Sequence, residues 1–97
     1  MKTYTYKKQD DLEIEGTLYK TTETHAPLLI YIHGGGLVWG TKDDIDKNQV
    51  DIYTNAGFNV FSIDYRLAPE SKLPEIITDV QDALEWLVYK GKEYADF

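Results

Sequence analysis

The apolar run Leu28-Leu29-Ile30-Tyr31-Ile32, followed at once by His33-Gly34-Gly35-Gly36, constrains this chain more than any other feature. Apolar side chains at successive positions suit a strand covered on both faces, as in a parallel sheet between helices. Three consecutive glycines give no side chain to pack and cost backbone entropy, so they belong where the backbone bends sharply or lets something approach closely. A strand ending in such a loop presents bare N–H groups, which is what an anionic intermediate needs. A tight strand-to-helix turn with no ligand accounts for the glycines equally well at this point.

The flanking patterns place that strand in an α/β context. Thr3–Lys8 and Leu12–Lys20 read as two strands, antiparallel across Gln9-Asp10-Asp11. In the second, Leu12, Ile14, Gly16 and Leu18 share one face, and Glu13, Glu15, Thr17 and Tyr19 the other. Thr41 is a candidate N-cap for a helix with acids in its first turn. Ile45, Gln49, Ile52, Tyr53 and Ala56 then follow helical spacing, and Gly57 is a natural stop. Asn59–Asp64 reads as a further buried strand, and Tyr65–Leu73 as irregular chain held by Pro69. Pro74 suits the first turn of a last helix. Ile76, Ile77, Val80, Ala83, Leu84, Leu87 and Val88 are predicted to line one face of it. The order is β-β-β-α-β-α, an antiparallel hairpin followed by parallel strands joined by a right-handed crossover. Lys92–Phe97 reads as the loop before a next strand, so the sheet is incomplete and residues 1–97 form a single partial domain.

Composition narrows the function classes. A chain of 97 residues with 42% hydrophobic and 13% aromatic residues is globular, with a modest core. A net charge of −7 argues against nucleic acid and anionic membranes as partners. There is no cysteine, hence no disulfide and no thiolate zinc site. No apolar stretch is long enough to span a bilayer, and the N-terminus lacks the apolar core of a signal peptide. The expectation is a cytoplasmic protein without cofactor or metal.

A second segment, Asp64-Tyr65-Arg66-Leu67-Ala68-Pro69-Glu70, reads by itself as a charged turn. Asp64 ends a buried strand, so its carboxylate needs donors or an ion partner. Arg66 is the first candidate, and backbone N–H groups of the glycine loop are another. The expected role of Asp64, Tyr65 and Arg66 is to brace the glycine loop rather than to do chemistry.

Taken together, His33-Gly34-Gly35-Gly36, Asp64–Glu70 and Leu73-Pro74 resemble the hormone-sensitive-lipase-like esterases of the α/β-hydrolase superfamily. The resemblance runs from Leu28 to Leu87, roughly the first third of a family domain of about 250 to 300 residues. It implies hydrolysis of a small ester or acyl substrate by a serine nucleophile with a His and an Asp or Glu. It also implies that the Gly35 and Gly36 N–H groups donate to the oxyanion while Gly34 and His33 shape the loop. The sequence departs from the family in holding no Gly-x-Ser-x-Gly turn to present the nucleophile. Its serines are Ser62, inside a strand, and Ser71, in a polar loop. The chain is therefore expected to be inactive alone, either as a non-catalytic product or as one half of a split hydrolase. The family's sheet order puts the third strand beside an absent fifth. That bare apolar edge is expected to self-associate or to pair with a complementary C-terminal partner.

Two rival readings use the same residues. Gly35–Lys42 nearly matches a phosphate-binding loop ahead of a helix, but its lysine and threonine stand in the wrong order for nucleotide phosphates and magnesium. His25, His33, Asp43, Asp44 and Asp46 lack metal-ligand spacing.

Overall fold

A computed structural model describes all residues, Met1–Phe97. Strands β1 (Lys2–Gln9) and β2 (Leu12–Tyr19) form the antiparallel hairpin. The turn falls at Asp10, which takes φ 54°. Strand β3 (Leu28–Ile32) lies parallel to β4 (Asn59–Ile63), and β4 is antiparallel to β2. The sheet order is β1-β2-β4-β3, so the apolar run of β3 lies on an edge. All five β4 residues are buried, whereas no β3 residue is fully buried. Both faces of β3 are covered in part, Leu28 and Ile30 packing on one core layer and Leu29 and Tyr31 on the other, and its burial stays incomplete because β3 has a strand on one side only.

Helix α1 (Lys47–Asn55) packs on one sheet face, and α2 (Leu73–Tyr89) on the other. Under α2 the core joins Tyr6, Ile14, Leu18, Phe61, Ile63, Ala83 and Leu87. Trp86 stacks on Phe61 at 5.5 Å between ring centroids. The opposite layer is Ile45, Val50 and Val60. Gly16 explains how the two layers meet the sheet: a Cβ there would overlap the Phe61 ring, so the strand yields its side chain to Phe61.

Three expectations are corrected. The segment after Thr41 is not one helix. Thr41 and Asp44 cap each other around a single 3-10 turn, Lys42–Asp44, and Asp46 then caps α1 anew through Asn48 N–H at 3.0 Å. Two competent caps five residues apart split the helix. As a result Val50 is buried and Ile52 is exposed. The predicted apolar face of α2 is also divided. Ile76, Ala83 and Leu87 are buried, while Ile77, Leu84 and Val88 are exposed, because only one side of the helix meets the sheet. In β2, Leu12 is exposed at the turn while Ile14, Gly16 and Leu18 are buried.

The C-terminal tail is anchored. Ala26 N–H donates to the Asp96 carbonyl at 3.1 Å, and Asn59 Nδ2 donates to the same oxygen at 3.2 Å. The chain thus arrives beside the start of β3. No helix is long and apolar enough to cross a membrane.

Candidate oxyanion site

The glycine loop emerges from the carboxyl end of β3, the end at which open α/β sheets bind ligands. His33 is 3% exposed, and its Nδ1 donates to the Gly34 carbonyl at 2.8 Å. Its Nε2 is buried and meets no hydrogen-bond partner. The loop then turns through left-handed backbone, with φ of 114° at Gly35, 64° at Gly36 and 67° at Leu37. A Cβ on Gly35 would overlap the Trp39 carbonyl, so position 35 requires glycine for both its φ and its space. Gly34 has neither constraint: a Cβ there meets nothing within 4 Å. The turn is closed by Val38 N–H donating to the Gly35 carbonyl at 3.2 Å. The Gly35 and Gly36 N–H groups donate to no backbone or side-chain acceptor of the chain. Leu37, Val38 and Trp39 form an exposed apolar rim beside them.

The Asp64–Glu70 segment grips this loop from below. Tyr65 stacks its ring on His33, with centroids 4.2 Å apart and planes 6° from parallel. Its hydroxyl donates to the His33 carbonyl at 2.8 Å. Burial raises the pKa of that hydroxyl and keeps it a neutral donor. Ala68 N–H donates to the Leu37 carbonyl at 2.7 Å.

The expected Asp64–Arg66 pairing is corrected. Asp64 Oδ1 accepts from Lys42 N–H at 2.7 Å, and Lys42 Nζ stands 3.8 Å from its Oδ2. Arg66 turns instead to Asp79, a fully buried carboxylate on α2. Its Nε reaches Oδ2 at 2.9 Å, its Nη2 reaches Oδ1 at 2.9 Å, and its own backbone N–H donates to Oδ2 at 2.8 Å. Lys7 of β1 adds a contact of 3.0 Å and also pairs with Asp82 at 2.7 Å. Burial alone would raise the Asp79 carboxyl. The Arg66 hydrogen bonds, with Lys7 behind them, outweigh it and hold the group below the ordinary carboxylate range. A buried carboxylate needs such an ionic partner, and the two-pronged guanidinium supplies it. One signal pointed to this pair: Asp79 sits in the apolar stripe Ile76, Ala83, Leu87.

Ser62, His25 and Lys42 are occupied elsewhere, and Ser71 lies in the turn that follows Pro69, where its N–H donates to the Leu67 carbonyl. The Ser62 hydroxyl is fully buried and donates to the Lys42 carbonyl at 2.6 Å. His25 pairs with Asp96 at 3.1 Å, at the opposite end of the sheet from the glycine loop. Lys42 Nζ lies among Asp43, Asp64 and Glu15 rather than over the loop, which removes the amine that a phosphate-binding reading requires. No group of three or more His, Cys, Asp or Glu is arranged to hold a metal ion.

This sheet, with its glycine loop after β3, is the N-terminal part of an α/β-hydrolase fold. The chain belongs to the BD-FAE family, whose pattern it matches over residues 16–96. Among its relatives, non-reducing polyketide synthase mapC of Penicillium brevicompactum is 38% identical over 93 residues, covering 90% of this chain and 4% of that protein. The 3-O-acetylpapaveroxine carboxylesterase CXE2 of Papaver somniferum is 39% identical over 90 residues, covering 79% of this chain and 29% of that one. An α/β-hydrolase superfamily protein from Enterococcus faecalis superposes with a TM-score of 0.75 at 31% identity, over 80% of this chain and 29% of the other. Thermogutta terrifontis esterase 2 shares the fold, with a TM-score of 0.78 at 21% identity over 89% of this chain and 33% of its own. The chain thus spans under a third of the carboxylesterase it matches.

Proposed function

We propose that residues 1–97 are a single partial domain, the N-terminal portion of a carboxylic-ester hydrolase, and that they supply its oxyanion loop. The Gly35 and Gly36 N–H groups are the donors, and Gly34 and His33 shape the loop. One observation carries this reading: both N–H groups are free of internal partners, in a loop whose carbonyls at His33 and Leu37 are held by Tyr65 and Ala68. Donors fixed in advance stabilise the negative oxygen of a tetrahedral intermediate without reorganising, and losing one typically costs about 3 kcal/mol in the barrier. The substrate is a small ester or acyl compound, and the protein is cytoplasmic, in keeping with its lack of cysteine.

The same reading makes the chain inactive alone. An oxyanion hole needs a nucleophile to generate its charge, and Ser62 is committed to a carbonyl inside the core. The nucleophile, acid and base come from polypeptide that continues the sheet beyond β3.

The test is hydrolysis of p-nitrophenyl acetate. The expected result is no turnover above buffer for this chain, and turnover once a downstream polypeptide bearing Gly-x-Ser-x-Gly is joined or added. Hydrolysis by the 97-residue chain itself would overturn the need for that segment.

A further inference from the structure

We infer that Asp79 is a positioning residue for the glycine loop, acting through Arg66 on Tyr65 and Ala68 and through them on the carbonyls of His33 and Leu37. Its catalytic meaning rests on the oxyanion role proposed above; the mechanical coupling does not.

The path is short and continuous. Asp79 holds both the backbone N–H and the guanidinium of Arg66, so it fixes the main chain of that residue as well as its side chain. Tyr65, one residue before Arg66, donates to His33 O; Ala68, two residues after it, donates to Leu37 O. These two bonds bracket Gly34–Gly36. Residues 65–68 lie in neither a helix nor a strand, so no regular ladder fixes their place. On the far side the carboxylate is anchored by α2 and by Lys7 of β1. The loop thereby takes its reference from the rigid layer beneath the sheet. Without the clamp, the segment that holds the glycine loop has one less fixed point, and local opening there becomes easier than global unfolding.

The experiment is residue-resolved amide hydrogen exchange on the 97-residue chain, with Val38 N–H as reporter because it bonds within the loop to Gly35 O. In Asp79→Asn and Arg66→Lys, Val38 and Ala68 are expected to exchange at least about tenfold faster relative to the β4 amides. Leu87→Ala, which weakens the same core without touching the clamp, is expected to accelerate the β4 amides with no selective gain at Val38. Tyr65→Phe keeps the clamp and is expected to loosen Val38 selectively. The inference is overturned if Val38 moves only in step with β4 in both clamp variants, or if Leu87→Ala loosens it selectively. Should Asp79→Asn fail to fold, Arg66→Lys and Tyr65→Phe decide, and an unchanged Val38 in either overturns the path. No substrate is used, so failure of the esterase reading leaves this result standing, and the converse also holds.

Discussion

Tyr65 holds His33 twice, by a ring stacked at 4.2 Å and by a hydroxyl that donates to the His33 carbonyl at 2.8 Å. The second contact satisfies an acceptor at the point where β3 becomes the glycine loop. Tyr65→Phe keeps the stacking and removes only the bond. A buried carbonyl left without its donor costs about 1 to 3 kcal/mol. The variant is expected to unfold at lower denaturant concentration with an unchanged slope, as checked by urea titration.

The glycines separate by geometry. Gly35→Ala puts a methyl against the Trp39 carbonyl at a φ of 114°, whereas Gly34→Ala meets nothing within 4 Å. In an enzyme completed by its downstream segment, Gly35→Ala is expected to lower kcat by about a hundredfold, since the donors move off the oxyanion. Gly34→Ala is expected to leave kcat within about threefold, a change of under 1 kcal/mol in the barrier. Steady-state hydrolysis of one short ester compares the two.

How far these features were legible in the sequence depended on their range. The sequential order of elements, the hairpin turn and the positions of β3, β4 and α2 follow from local patterns, and the structure has them; the place of β3 beside β4 at the sheet edge came from the family resemblance. The glycine loop was visible because the bend itself is written in consecutive residues, Gly34–Gly36, although the Tyr65 and Ala68 contacts that hold it come from about thirty residues away. The Asp64 partner was misread because the pairing reaches back to Lys42, 22 residues earlier, while Arg66 stood close by in the chain. Periodicity assigned Ile77, Leu84 and Val88 to the core because an apolar side chain does not reveal whether the neighbour it would cover is present. The break in the helix after Thr41 came from two caps in succession, where periodicity registered only the continuing apolar spacing.

Asp79 makes stability depend on acidity in one direction. Arg66 and Lys7 face its carboxylate, with Glu75 and Asp82 around them. Its pKa is below the ordinary 3.8, so over the interval between the two values the unfolded chain binds more protons than the native one, and stability rises with pH there. The contribution is complete above about pH 5, erodes as pH falls through the ordinary value, and is gone below the depressed native value. Breaking such a buried pair by removing one partner costs about 3 to 5 kcal/mol. Asp79→Asn is therefore expected to be much less stable than the parent at neutral pH, and the gap is expected to close in acid. Denaturant midpoints measured from neutral to about pH 2 give both curves.

The edge of β3 gives the last expectation. Its outer backbone groups face no strand, and Ile32 at its end is 49% exposed. A second copy is expected to satisfy those outer groups, so the chain is expected to show a weight-average mass that rises with concentration in sedimentation equilibrium. Ile32→Lys places a charge on the edge at an exposed position, a device by which natural sheets resist such pairing. It is expected to shift the equilibrium toward monomer with little loss of stability. A parent chain that stays monomeric at all concentrations removes the edge as an association site.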